Sequence, residues 1–489
     1  MPRGGVLNFT SPIYYLFVLI TWIVFTFVGG RRRWIVLLVA SYLFLATFSQ
    51  PAAILALAAV TIVTYGFGLL LRSRTDTREK RVAWILGIAI NLALLIASKS
   101  ATVLFGAANR VLGIAPPPSA TSWIVLIGLS YYVFQAISYL MDVYLERIPA
   151  ERHLGHFSLY LGFFPKLLQG PIERAGAFLP QLVASPEADP TAIRQGLKLI
   201  VFGLFQKVVI ADRLAVYVNT VYGSSGNYQG WPLIIATYFY AMQIYCDFSG
   251  YTDIARGVAR CFGINLMLNF RTPYLATSIT DFWRRWHISL SSWILDYIFR
   301  PLQLRFRRAG KWGVAAALLI AFALCGLWHG FTATFLVWGA LQGALMGLSV
   351  LLRGKWAALC KKARIPVWLP PDGLRMLVTF HLVCLSWVLF RSRTIHDAWY
   401  VITHFVVGLS PRNLPSAILL YGDSSALGKF IVTCALLAFF AAIELQRFRG
   451  KGLPDFARTR ALRGAFWIGM CCMVLMLTLG SGSFIYQKF

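Results

Sequence analysis

Between Lys311 and Arg353 the chain carries a single Asp, Glu, Lys, Arg or His, and it is His329. It sits in Leu324-Cys325-Gly326-Leu327-Trp328-His329-Gly330, where one long apolar run ends and the next begins. An ionisable side chain costs so much among such runs that it marks a functional position by default. An imidazole titrates near neutral pH, at about 6.5 when unperturbed, which suits proton transfer. Gly326 and Gly330 lack side chains, so backbone or substrate can approach the ring. The plain alternative is a neutral histidine bonded to a carbonyl at a helix bend.

Three further stretches carry chemistry-bearing residues. Asp281-Phe282-Trp283-Arg284-Arg285-Trp286-His287-Ile288-Ser289-Leu290-Ser291 has the spacing of helical ion pairs from Asp281 to Arg284 and Arg285. If it is one helix, Trp283, His287 and Ser291 share a face. An interfacial amphipathic helix with snorkelling arginines is the structural alternative. Tyr245-Cys246-Asp247-Phe248-Ser249-Gly250-Tyr251-Thr252-Asp253 places two carboxylates near the end of an apolar run. They could orient polar substrate groups or a cation, or hold a broken helix by hydrogen bonds. With no companion His or Cys, a transition-metal site is not expected. Phe163–Ile172 (FFPKLLQGPI) combines two prolines, a glycine and Lys166, which argues against a straight crossing helix and for a re-entrant element. No G-x-S-x-G elbow, Walker motif or dinucleotide-binding glycine pattern is present.

The elements that must position these residues are membrane helices. The 489 residues are 58% hydrophobic, against roughly 45–50% in a soluble globular chain. The excess lies in runs such as Ala52–Leu71 and Phe331–Leu352, long enough to cross a ~30 Å hydrocarbon core. Further runs are Ile13–Val28, Ile35–Phe48, Val82–Ala97, Trp123–Leu140, Trp231–Tyr245, Val314–Trp328, Leu374–Phe390, Ile431–Ile443 and Phe466–Leu479. They predict an all-α polytopic membrane protein with about 11–13 membrane segments, read as one domain over residues 1–489. The formal charge of +28 sits in short loops, so it reports positive-inside topology rather than nucleic-acid binding. Basic loops at Arg31–Arg33, Arg72–Arg81, Glu146–Arg152, Arg305–Lys311 and Arg447–Arg463 read as cytoplasmic. The charge-poor Ser49–Gln50 and Gly113–Ser122 read as external, which puts the N-terminus outside. The first apolar run reads as a retained helix, because Arg31–Arg33 follow it and no small-residue cleavage site closes it. Eight cysteines form no C-x-x-C pair and give neither a disulfide framework nor a zinc site.

Together, SYYVFQAISYLMDVY (Ser130–Tyr144), FFPKLLQGPIER (Phe163–Arg174), Asp247–Phe270, PYLATSITDFWRRWHISLSSWILDY (Pro273–Tyr297), LCGLWHG (Leu324–Gly330), SWVLFRS (Ser386–Ser392) and the ending FIYQKF resemble the membrane-bound O-acyltransferase family. The core of the likeness spans Ser130–Leu352, and the nearest branch is the bacterial one that includes alginate O-acetylation and teichoic-acid D-alanylation proteins. The resemblance implies a ring of helices and re-entrant segments around a central tunnel in the bacterial inner membrane. It implies His329 and His287 as catalytic residues. The stretches described above add Asp247, Ser249, Tyr251, Asp253, Asp281, Trp283, Arg284, Ser291 and Trp328 as candidate substrate-binding residues. His287 with Asp281 or Arg284 would position the donor. No tightly bound cofactor or metal is implied. The acyl donor would be a cytoplasmic thioester, acetyl-CoA or an acyl carrier protein. The acceptor would be a hydroxyl of an extracytoplasmic polysaccharide (alginate, cellulose, peptidoglycan or teichoic acid), reached directly or through an SGNH-type partner transferase. Other functions considered are a polytopic transporter, a teichoic-acid D-alanylation protein, and a non-catalytic scaffold. One departure from the family pattern is Pro301-Leu302-Gln303-Leu304 and the basic run after it, where many relatives have a glycine-rich turn. The basic run could draw an anionic donor or serve topology and anionic lipid.

Overall fold

A computed structural model of the chain describes residues 8–48, 51–112, 128–184, 187, 189–362, 372–421, 425–450 and 460–477. The loops expected outside at Ser49–Gln50 and Gly113–Ser122, and the FIYQKF ending, lie outside the described residues.

All regular structure among the described residues is helical. Six helices are long and apolar enough to cross a bilayer: Pro51–Ser73, Thr77–Lys99, Arg307–His329, Ala333–Leu352, Asp372–Arg391 and Ala426–Phe448. Pro12–Phe27 and Arg463–Met476 are shorter apolar helices. The chain is an all-α, multi-pass membrane protein. The larger number of segments read from sequence included runs too short to cross alone. Arg33–Ala46, for example, has 14 residues and so is about 21 Å long at 1.5 Å per residue. Trp231–Cys261 is long, at 31 residues, but contains Asp247, Asp253, Arg256 and Arg260.

The chain groups into two compact units. One comprises the residues up to Leu204 with Gly250–Met267; the other comprises Phe205–Ser249 and the residues from Leu268 on.

In the first unit the helix Leu154–Gly162 stops at Phe163, and a non-helical stretch follows until the helix Ala175–Val183 begins. Lys166 in that stretch is fully buried. Its ammonium donates to the Gln135 side-chain oxygen and the Tyr160 carbonyl. It also lies over the Tyr160 and Phe178 rings at 5.2 and 5.1 Å. A buried ammonium is tolerated only with polar partners, and these two bonds tie the turn to Gln135 and Tyr160 from its centre.

In the second unit the helices Gly310–His329 and Ala333–Lys362 form a hairpin whose apex is residues 330–332. Small residues let the two backbones touch. A Cβ on Gly326 would stand 2.2 Å from the Phe335 carbonyl oxygen, and one on Gly339 the same distance from the Phe322 oxygen. Helices in lipid associate through this kind of close backbone contact, because burial of apolar surface gives no driving force there.

Candidate active site

The hairpin fixes where His329 stands. It is the last residue of the Gly310–His329 helix, immediately before the apex, and it is 5% exposed. Aromatic rings surround it. Ring centroids lie at 4.6 Å for Trp328, 5.0 Å for Phe390, 5.3 Å for Trp338 and 6.1 Å for Phe335. Phe390 comes from the Asp372–Arg391 helix and Trp338 from the other arm of the hairpin. Trp338 in turn stacks on Trp387 at 5.7 Å and 18°. Three helices thus place aromatic rings around the imidazole.

His287 is placed differently. Ser278 caps the helix Ile279–Trp283 by accepting the Asp281 N–H at 3.1 Å. That helix ends after five residues, and the chain turns through Arg284–Trp286. His287 itself has φ 43° and ψ 54°, in the left-handed region. A non-glycine there costs on the order of 1–3 kcal/mol and persists only where its surroundings over-determine it. Two backbone bonds do so: Ile288 N–H to the Asn269 carbonyl at 2.9 Å, and Arg271 N–H to the Arg285 carbonyl at 2.9 Å. The ring is 1% exposed. Its Nδ1 lies 3.2 Å from the Asn269 side-chain oxygen, which also accepts the Ser289 hydroxyl at 2.8 Å and the Ser289 N–H at 3.1 Å. Burial pushes the His287 pKa well below the ordinary histidine value, so the ring is neutral at pH 7.

Trp328 joins the two histidines. Its indole touches His329, and its centroid is 6.4 Å from that of His287. One aromatic plate therefore separates a polar-cradled imidazole from an aromatic-caged one.

The other expected residues divide into those near this pair and those committed elsewhere. Trp283 donates to the Gln342 side-chain oxygen at 3.1 Å and packs on Phe322 and Trp338, next to the His329 cage. Ser291 donates to the Trp286 carbonyl at 2.9 Å. The turn at His287 means that Trp283, His287 and Ser291 do not share one helix face, because they lie on either side of a break between two short helices. Asp281 pairs with Arg285 at 2.9 Å and accepts the Thr277 N–H, while Arg284 is exposed. The polar partners of His287 are Asn269 and Ser289 rather than Asp281 or Arg284. Asp247, Ser249, Tyr251 and Asp253 lie within the continuous Trp231–Cys261 helix, which is not broken at this point. Asp247, 1% exposed, pairs with Lys207 at 2.8 Å, and Lys207 also reaches Asp212 at 2.7 Å. Ser249 is buried in the second unit. In the first unit Tyr251 accepts the Gln169 N–H at 3.2 Å, and Asp253 pairs with Arg256 at 3.1 Å. The two carboxylates belong to separate units and each has its own cation. Among the described residues no three His, Cys, Asp or Glu converge as a metal site.

Residues 143–354 match the membrane-bound O-acyltransferase family model. The probable alginate O-acetylase AlgI of Pseudomonas syringae pv. tomato is 32% identical over 466 residues, which cover 92% of this chain and 85% of that protein. The chain belongs to the membrane-bound O-acyltransferase family. It is therefore an O-acyltransferase. The protein of the same name from Pseudomonas aeruginosa is 34% identical, over 80% of this chain and 73% of the relative. A peptidoglycan O-acetyltransferase of Helicobacter pylori is 30% identical, over 78% and 75%. Both histidines and Trp328 fall inside the family match.

Asn269, Ser289, Trp338, Phe335 and Phe390 join the site only in three dimensions. Two signals for them were present in the sequence. Asn269 is the next-to-last residue of the Asp247–Phe270 stretch that resembles the family, and Phe390 lies in SWVLFRS, far from either histidine along the chain.

Proposed function

We propose that the chain transfers an acetyl group from a cytoplasmic thioester, acetyl-CoA or an acyl carrier protein, to a hydroxyl of an extracytoplasmic polysaccharide. The transfer is direct or passes through an SGNH-type partner. Two things support the reading: relatives named as acetylating alginate and peptidoglycan, and a buried histidine pair bridged by Trp328. The second observation carries it, because acyl transfer to an alcohol needs a proton acceptor in a water-poor site.

In this mechanism the His329 imidazole takes the proton of the attacking hydroxyl. The oxygen adds to the thioester carbonyl, the C–S bond breaks, and the imidazolium returns the proton to the leaving thiolate. The aromatic cage excludes water, which would otherwise hydrolyse the thioester. His287 holds the substrates in register. Cytoplasmic donor and external acceptor approach the pair from opposite faces of the inner membrane through a passage among the helices, with the N-terminus outside.

The test is His329→Ala in cells that make the polysaccharide. Polymer-bound acetyl ester is lost while the protein still inserts at the wild-type level. Wild-type ester content in that variant would refute the assignment.

A further inference from the structure

We infer that Asn269 is the positioning residue of this site: it fixes His287 as the Nδ1–H tautomer and leaves Nε2 as a hydrogen-bond acceptor toward substrate.

The inference follows from the chemistry of one oxygen. Asn269 is fully buried. The side-chain atom that faces Ser289 N, at 3.1 Å, meets a backbone N–H that can only donate. That atom is therefore the carboxamide oxygen and not the amide nitrogen, whichever way such groups are assigned by default. The same oxygen lies 3.2 Å from His287 Nδ1. An amide oxygen only accepts, so the hydrogen must sit on Nδ1. A neutral imidazole with its proton on Nδ1 carries its lone pair on Nε2. The Ser289 hydroxyl, 2.8 Å from the Asn269 oxygen and 3.5 Å from Nδ1, completes the cradle without competing for the proton. The geometry is stiff, since Ile288 N–H holds the Asn269 carbonyl and His287 sits in its strained left-handed conformation. Phe248 closes the cradle with its ring perpendicular to the imidazole at 4.7 Å.

The residue type carries a second argument. An aspartate could accept the same three hydrogen bonds, but its charge would favour the imidazolium and remove the Nε2 lone pair. Asparagine gives the same grip with no charge. It does so although its own Nδ2 is buried and meets no acceptor among the described residues, an arrangement that costs on the order of 1–3 kcal/mol. The carboxamide is held for its oxygen. A group that meets His287 Nε2 must consequently be an N–H or an O–H, not a carbonyl.

The tautomer is read directly by nitrogen-15 NMR of the full-length protein in lipid nanodiscs, labelled at histidine, with His287→Gln used to assign the signal. This arm is independent of the proposed acetyl transfer. The expected wild-type spectrum has a protonated Nδ1 and an unprotonated Nε2, and Asn269→Ala shows a mixture of both tautomers. A protonated Nε2 in the wild type, or an unchanged tautomer in Asn269→Ala, overturns the inference. The kinetic arm rests on the proposed function and uses acetyl-CoA as donor in isolated membranes. Asn269→Ala loses roughly tenfold in kcat with KM held within about twofold. Asn269→Asp retains the cradle and moves the acidic limb of the kcat/KM profile to higher pH. If Asn269→Ala does not fold, the wild-type spectrum and the Asn269→Asp profile decide; an unmoved acidic limb in Asn269→Asp counts against the inference.

Discussion

His287 and His329 are both buried, and both touch Trp328, yet their surroundings differ. His287 is gripped through a hydrogen bond by Asn269 and sits in a strained turn between two short helices. His329 ends a membrane-crossing helix and is enclosed by Trp328, Phe335, Trp338 and Phe390. A directional hydrogen bond fixes which nitrogen carries a proton. Rings packed around an imidazole restrict its position by shape. In the proposed function His287 is the fixed acceptor and His329 the proton-transfer group.

Substitutions at the two rings should therefore differ in size. His329→Ala is expected to lose about 10²–10⁴-fold in kcat, the range for a placed general base, read as acetyl transfer in membranes with matched protein levels. His287→Ala should lose roughly 10–100-fold, since substrate register suffers while the base remains. Equal losses would erase the distinction drawn here. The frame is tested by Gly326→Ala. Its added methyl meets the Phe335 carbonyl at 2.2 Å, so the hairpin must splay, with lower thermal stability and displacement of both Trp328 and His329. A variant as stable and active as wild type would show that the hairpin apex tolerates movement. Lys207→Met removes the cation between Asp212 and Asp247. Stranding a buried carboxylate costs about 3–5 kcal/mol, visible as a lower unfolding temperature, and full wild-type stability would show that the Lys207 ion pairs contribute nothing to the fold.

The smallest effect concerns pH. The folded-state pKa of His287 is lowered by burial, so below about 6.5 the unfolded chain binds a proton that the folded one does not. Stability is then full above that pH and falls as the pH drops through it. His287→Gln should flatten that acid slope, while His329→Gln should leave the His287 contribution in place.

Much of this architecture was legible in the sequence, and for physical reasons. Apolar length alone located the crossing helices, because lipid demands it. The isolation of His329 between Lys311 and Arg353 marked it before any fold was known. The turn at His287 was not legible. Asp281–Arg285 has helical spacing and does form its ion pair, but no glycine or proline announces the break two residues later. The continuous Trp231–Cys261 helix was hidden for the opposite reason. Its buried aspartates looked like a break, whereas their cations Lys207 and Arg256 complete them within an unbroken helix. Asn269 and Phe390 escaped because their roles come from distant segments meeting, which spacing along the chain does not encode.

The most direct measurement is single-turnover acetyl transfer from labelled acetyl-CoA to the polysaccharide in membrane vesicles containing wild-type or His329→Gln protein, with nitrogen-15 spectra of His287 as the control for an intact site. His329→Gln is expected to lose transfer by at least about 10²-fold while the His287 signals are unchanged. Transfer at the wild-type rate with an intact His287 spectrum would contradict it.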